Sequence, residues 1–502
     1  MPWGLVLSMA IATGGPVVAE DETAAVDAST ESALFLLERS TRVSRAGEHH
    51  VLQRSLRQLR DPALQPFFSY LADADHADLQ IHGILGLAES SEKRQVDLVR
   101  IAAIKSPAIQ ADLISHAMDN ELLSIEQALQ MLHWEEGLDL AVKVLIAAHL
   151  IGEGAFDQQQ IIAEAATSES LPRRSLAALL MLQTGDPGGE AMLTELDASE
   201  GEAREQVRGM LLRTASKFDF DRCGAWAFGV AQDPSSDAKV ALASLHVALK
   251  FGADGAVELW QKKFRNAGGV GAQARLGLMA LQLSDRLPAT AGGPLRTSKE
   301  PLIKQIGKTM AAIQSGVAIA DEVIALIRLG HPRTAEWALR YANEKAGHAD
   351  AVRILATLIA GVEVGDARNL DVRLDHAMAA TQMLFEKDPD AASTVLQPIL
   401  ESPDTNQVLK QGVLFGLIRC DVDSDAHLVI APIETFGRPR TRGLALLLLA
   451  KHSDQLTAKQ LDRLGLLVRG GGMRGPLRVQ AAWRYLRMTD QTDMALARVM
   501  AR

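Results

Sequence analysis

Residues 235–264 read SSDAKVALASLHVALKFGADGAVELWQKKF. Leu242, Leu245 and Leu249 recur at i, i+3 and i+7, the spacing that places side chains along one face of an α-helix. Gly252 supplies a residue able to take the left-handed conformation that ends a helix, and Asp254 a cap for the next. Val257, Trp260 and Phe264 then repeat the same spacing, so the stretch predicts two helices joined by a tight turn. Ala272, Leu276, Met279 and Leu283 begin the following pair. Each pair is apolar over a wide face that it cannot bury alone, so stacking on its neighbours is what supplies a core.

Working outward, one unit recurs: a basic residue, about eight small and aliphatic residues, then an Asp. Arg174 with Asp186, Arg442 with Asp454 and Arg478 with Asp490 all place the Asp twelve positions on. Looser copies are Arg208 with Asp219, Arg275 with Asp285, Arg353 with Asp366 and Lys410 with Asp421. Neighbouring copies start 34 residues apart at Arg174 and Arg208, 32 at Lys410 and Arg442, and 36 at Arg442 and Arg478, a period that fits one helical hairpin per repeat. The bulk composition agrees. In 502 residues there are three Tyr, twelve Phe and six Trp, Ala and Leu dominate, and two-residue alternation of β-branched residues is nearly absent. A chain this long exceeds one compact core, and an array whose core grows with length accommodates it.

These segments resemble HEAT repeats. The residues that carry the resemblance are the Asp61-Pro62 opening of DPALQPFFSYLADADHADLQIHGILGLAES and the Arg-to-Asp second helices. The resemblance implies an α-solenoid of stacked antiparallel helix pairs, and structural roles bridging adjacent repeats for Arg174, Asp186, Arg442, Asp454, Arg478 and Asp490. Repeats around 100–165 and 301–400 are degenerate, and TAEWALRYANEKAGHADAVRILATLIAG is equally similar to tetratricopeptide repeats. RLPATAGGPLRTSKEP, from Arg286 to Pro301, breaks the pattern. It reads as a long inter-helix loop or a boundary between helical blocks at 31–285 and 302–502, with the loop preferred.

Trp3 to Val18 is apolar and small, is interrupted by Gly14, Gly15 and Pro16, and runs into Glu20-Asp21-Glu22. Val17 and Ala19 occupy the −3 and −1 positions of a cut after Ala19, so residues 1–19 read as a signal peptide despite an n-region without Lys or Arg. Residues 20–30 then read as a disordered acidic leader. No later apolar stretch reaches the roughly 18 residues of a spanning helix. Cys223 and Cys420 exclude a disulfide framework.

The net charge of −10 is no signature of a general nucleic-acid binder. It is uneven, however: from Phe436 to Arg502 there are 13 Lys or Arg against 4 Asp or Glu. Arg438, Arg440 and Arg442 open one repeat and Arg474 and Arg478 the next, with Arg469 between, a candidate basic edge for carboxylate or phosphate groups. A solvated face is the plainer account of the same residues. RGGGMRGP from Arg469 has the glycines of a phosphate loop but no preceding strand and no Lys-Ser/Thr ending, so it reads as a connector. Asp421, Asp423, Asp425 and His427 alternate as calcium ligands do, but Ala426 and Pro432 stand where an EF loop needs Gly and Glu. Asp73, Asp75, His76, Asp78 and His82 fall where a repeat turns, and Asp caps account for them. His49-His50 reads as a solvated pair. No nucleophile elbow, H-E-x-x-H, Walker A or Rossmann motif occurs.

The expectation is therefore an all-α, exported, non-catalytic scaffold or adaptor without cofactor or metal, binding a protein or peptide, with an anionic envelope polymer as a further candidate and nucleic acid disfavoured. Two alternatives stand beside it. One is an all-α enzyme in the cell envelope, a toroid-like hydrolase or lyase, against which the 4% aromatic content leaves little for carbohydrate stacking. The other is an intracellular adaptor whose N-terminus is not a signal.

Overall fold

The computed structural model describes residues 22–41, 48–134, 137–155, 159–198, 201–360, 370–420, 436, 438–452, 456–470 and 475–501. Among these the chain is all-helical, with no strand. The first helices are α1 (Glu22–Thr41), α2 (Glu48–Arg57), α3 (Gln65–Ala72), α4 (Ala77–Glu89), α5 (Leu98–Ala102), α6 (Pro107–Asp119), α7 (Ile125–Leu132), α8 (Leu140–Gly152), α9 (Gln159–Ala166) and α10 (Leu171–Thr184). The middle comprises α11 (Pro187–Ala198), α12 (Glu202–Lys217), α13 (Gly224–Gln232), α14 (Ala238–Lys250), α15 (Ala256–Arg265), α16 (Val270–Gln282), α17 (Gly293–Arg296), α18 (Pro301–Ser315) and α19 (Ile319–Arg328). The rest are α20 (Pro332–Glu344), α21 (His348–Ala360), α22 (Leu370–Lys387), α23 (Pro389–Glu401), α24 (Gln407–Arg419), α25 (Pro439–His452), α26 (Ala458–Arg469), α27 (Gly475–Met488) and α28 (Thr492–Met500).

Helix starts follow local chemistry. Asp97, Asp139 and Asp237 accept from the backbone N–H two residues on at 2.9, 2.8 and 2.7 Å, and Ser124 with Gln127 and Thr457 with Gln460 form capping boxes. Proline opens α6, α18, α20 and α23, where its missing N–H costs nothing. The stretch 235–264 forms α14 and α15, with Gly252 at φ 65° in the turn. The cap of α15 differs from expectation. Gly255, at φ 78°, takes the N-cap position in place of Asp254, because the turn needs two left-handed residues and only glycine takes that conformation at no steric cost. Trp260 is fully buried, stacks on Phe264 at 5.6 Å and donates its indole N–H to Leu276 O at 2.9 Å, tying α15 to α16.

Consecutive helices pack as pairs, among them α3 with α4, α7 with α8, α13 with α14 and α26 with α27. A second set of contacts links every other helix from α2 through α4, α6, α8, α10 and α12 to α14, and another runs through α16, α20, α22, α24, α25 and α27. The second series meets the start of the first. α27 packs on α2, α1 packs on α26, α27 and α28, and α28 packs on α3. No helix among the described residues is long and apolar enough to cross a membrane.

Two boundary expectations change. Residues 22–30, read as a disordered leader, belong to helix α1, because the hydroxyls of Ser29 and Thr30 hydrogen-bond Tyr485 on α27 and Ser29 is buried there. A segment so held is invisible to its own composition. The connector 286–301 contains α17, and Leu287, Ala291 and Leu295 are buried in the same core as the helices on either side. Gln314 on α18 donates to Ser284 O and Leu287 O at 3.1 and 3.0 Å.

Candidate binding cavity where the first and last helices meet

The junction between the ends of the chain is polar and tightly bonded. Asp61, 5% exposed, accepts from the Trp483 indole at 2.8 Å and from Arg487 at 2.7 Å, with Arg484 at 3.6 Å. Gln480 donates to Ser55 O at 2.9 Å. On α28, Arg498 pairs with Glu31 at 3.0 Å and with buried Glu38 at 2.5 Å, both on α1.

Above these bonds α2, α22, α24, α25 and α27 enclose a cavity of about 460 Å³. Among the described residues, three arginines, Arg60, Arg419 and Arg440, line it together with one acidic residue, Asp375, and with Ser55, Gln58, Gln382 and Gln480. Its apolar wall includes Phe415, whose ring lies 5.8 Å from the Arg440 guanidinium carbon. Arg419 ends α24 and reaches solvent. The helices around it nevertheless strip enough water to lower its pKa, Asp375 pulls the other way and Arg54 adds to the lowering. A guanidinium so placed stays charged at neutral pH, so the cavity presents planar donors suited to bidentate binding of a carboxylate.

The residues singled out in the sequence are divided by the structure. Arg440 lines the cavity. Arg442 and Arg478 turn to the backbone: Arg442 Nε donates to Phe436 O at 2.6 Å, and Arg478 donates to Val468 O through Nε at 3.1 Å and Nη2 at 2.6 Å. Arg438 and Arg469 are exposed, and Arg474 lies outside the described residues. Arg174 is half-buried in α10, and Asp186 accepts from Gly188 N at 2.8 Å at the start of α11. Asp490 stands at φ 55° just beyond α27, and Asp454 lies outside the described residues. Ties between neighbouring units include Arg173 with Asp139 at 2.8 Å, Arg57 with Glu89 at 2.6 Å and, from one of the looser copies, Arg353 with Asp321 at 2.6 Å. Arg60 and Arg419, which sequence reasoning passed over, lie three residues beyond α2 and at the last residue of α24, where a basic residue reads as a complement to the helix dipole.

Asp73 pairs with Arg100 at 2.5 Å, and buried His82 faces Arg57 at 3.2 Å through Nδ1. His49 and His50 lie in α2. Asp421, Asp423, Asp425 and His427 lie outside the described residues. Among the described residues no group of three His, Cys, Asp or Glu could hold a metal ion. Cys223 and Cys420 are unpaired in any disulfide and buried, and burial, helped by Asp221, pushes the Cys223 thiol up to about 12.

No protein-family model and no curated protein matches this chain. Among solved structures, the crystal structure of an engineered protein is similar at 13% identity over 73% of this chain and 98% of that one, with a TM-score of 0.22, too low to bear on the fold.

Proposed function

We propose that this chain is a non-catalytic helical-repeat scaffold of HEAT-like, solenoid character that binds an acidic protein or peptide partner through the cavity between its first and last helices. The observation that carries the reading is a charge imbalance. Among the described residues of its lining, Arg60, Arg419 and Arg440 stand beside Asp375, in a chain whose net charge is −10. Stacked helix pairs also offer extended surfaces on which a partner segment lies. This is a binding inventory. A glycoside-cleaving site asks for two facing carboxylates, and among the described residues the lining supplies one. We also place the scaffold outside the cytoplasm, on the apolar leader at residues 1–19.

The test is affinity capture from the native source with the full chain, beside a variant carrying Arg60→Gln, Arg419→Gln and Arg440→Gln whose helicity and melting match the parent. Loss of a captured acidic partner in the variant, with retention in an Arg438→Gln/Arg469→Gln control, supports the reading. Equal capture by parent and cavity variant rejects the cavity as the binding site. N-terminal sequencing of the native protein decides export: a chain beginning at Glu20 fits it, and one that retains Met1 favours the intracellular adaptor.

A further inference from the structure

A second cavity, of about 560 Å³, opens between α14, α16 and α20. Its lining follows helical stripes on all three elements: Leu242 and His246 on α14, Arg275, Met279 and Gln282 on α16, and Arg333, Glu336, Trp337 and Arg340 on α20. The stripes sort by polarity. Leu278, Met279 and Trp337 are buried and Leu242 half-buried, forming an apolar floor, while Arg275, Arg333, Arg340 and Glu336 are exposed around it. Among the described residues none of these three guanidiniums is engaged in an ion pair. Glu336 lies three residues after Arg333 and four before Arg340 without pairing to either, which leaves three cations around one carboxylate.

We propose that this cavity is a second binding site, and that it takes an acidic peptide segment in which one apolar side chain is flanked by carboxylates. The apolar side chain covers the floor of Leu242, Leu278 and Met279, and the flanking carboxylates meet the three guanidiniums. A bare polyanion would satisfy the rim and leave the floor wet. Stacking of a nucleic-acid base is also poorly served, since the Trp337 ring is 5% exposed and already stacked on Tyr341 at 5.2 Å. His246 is held below the ordinary imidazole range by burial and by Lys250, so it enters the site neutral.

The site extends the reading of the chain as a peptide binder. α20 packs on α22, the helix that carries Asp375 of the first cavity.

The experiment is fluorescence anisotropy of the full chain with a labelled peptide of leucine between two pairs of glutamates. The variant Arg275→Gln/Arg333→Gln/Arg340→Gln, altered only at exposed side chains, is expected to bind at least ~10-fold more weakly. Replacing the peptide's leucine by glycine is expected to weaken binding to the parent. Glu336→Gln is expected to tighten it, a gain that a merely structural role for Glu336 would not give. Undiminished binding by the triple variant overturns the site, as does binding indifferent to the leucine, which would mark a general polyanion surface. Arg419→Gln/Arg440→Gln separates the two proposals: peptide lost there but kept by the triple variant leaves the first cavity standing and removes the second.

Discussion

Asp61 shows how much one buried carboxylate holds in this molecule. It accepts from Trp483 and Arg487, more than 400 residues away in sequence, with Arg484 beside it. Asp61→Ala leaves an indole N–H and a charge without their partner, and is expected to destabilise the fold by about 2–4 kcal/mol in urea unfolding. Asp61→Asn keeps an acceptor for the indole and is expected to cost less. Arg208, 2% exposed, is the second such centre, bonded to Asp197, Glu205, Asp233 and Ser236. Arg208→Ala leaves those acids without their shared partner, and the expected loss is about 3–5 kcal/mol. The repeat pattern picked out Asp61 and Arg208 but not the partners that hold them. The Arg-to-Asp spacing of twelve spans about 18 Å of helix at 1.5 Å per residue, so the two ends of that unit cannot meet. The pattern marks where helices begin and end; bonds between units run through its looser copies, Arg208 with Asp197 and Asp233 and Arg353 with Asp321, and also through residues it did not single out, such as Arg173 with Asp139.

At the level of elements, the helix boundaries around 235–264 were readable because they depend on neighbours in sequence: apolar spacing and glycines in the turn. What was not readable is how closely helices approach, which depends on the partner's backbone. Gly416 on α24 is a case in point. A Cβ there would lie 2.6 Å from Met378 O and 2.6 Å from Thr381 Cβ, both on α22. Alanine is the better helix former by up to about 1 kcal/mol, yet Gly416→Ala is expected to destabilise by roughly 1–3 kcal/mol, because neither contact is a flexible tip that can yield. Thermal unfolding measures that cost. Since Met378, Gln382, Phe415 and Arg419 of the same two helices line the first cavity, the substitution should also weaken acidic-peptide binding there. The same logic explains the cavities in general. Each combines arginines from helices far apart in sequence, and only the packing of those helices reveals that they share a space.

At the scale of the whole molecule, pH and closure give the most direct readouts. Burial holds His149, His246, His331 and His376 below the ordinary imidazole value of 6.5. The unfolded chain therefore takes up protons first as pH falls below about 6.5, and stability declines from there toward the depressed folded values. Asp233, Asp285 and Asp388 are depressed below the usual carboxylate value by hydrogen bonds and, for Asp285, by Lys345, despite some opposing desolvation, so they add a second loss below about 4. Melting temperatures at pH 7.5, 6 and 5 should fall in that order, and His149→Gln/His246→Gln should flatten the first step. Closure is tested by removing residues 1–41, and with them α1. In an open array the last helices, more than 400 positions away, would not respond. Here α1 packs on α26, α27 and α28, Ser29 and Thr30 hydrogen-bond Tyr485, and Glu31 and Glu38 pair with Arg498. Hydrogen exchange is therefore expected to speed up in α26–α28 and to stay unchanged in α10–α14, which touch neither end. Unchanged protection of α26–α28 would mean that the two ends of the chain do not hold each other.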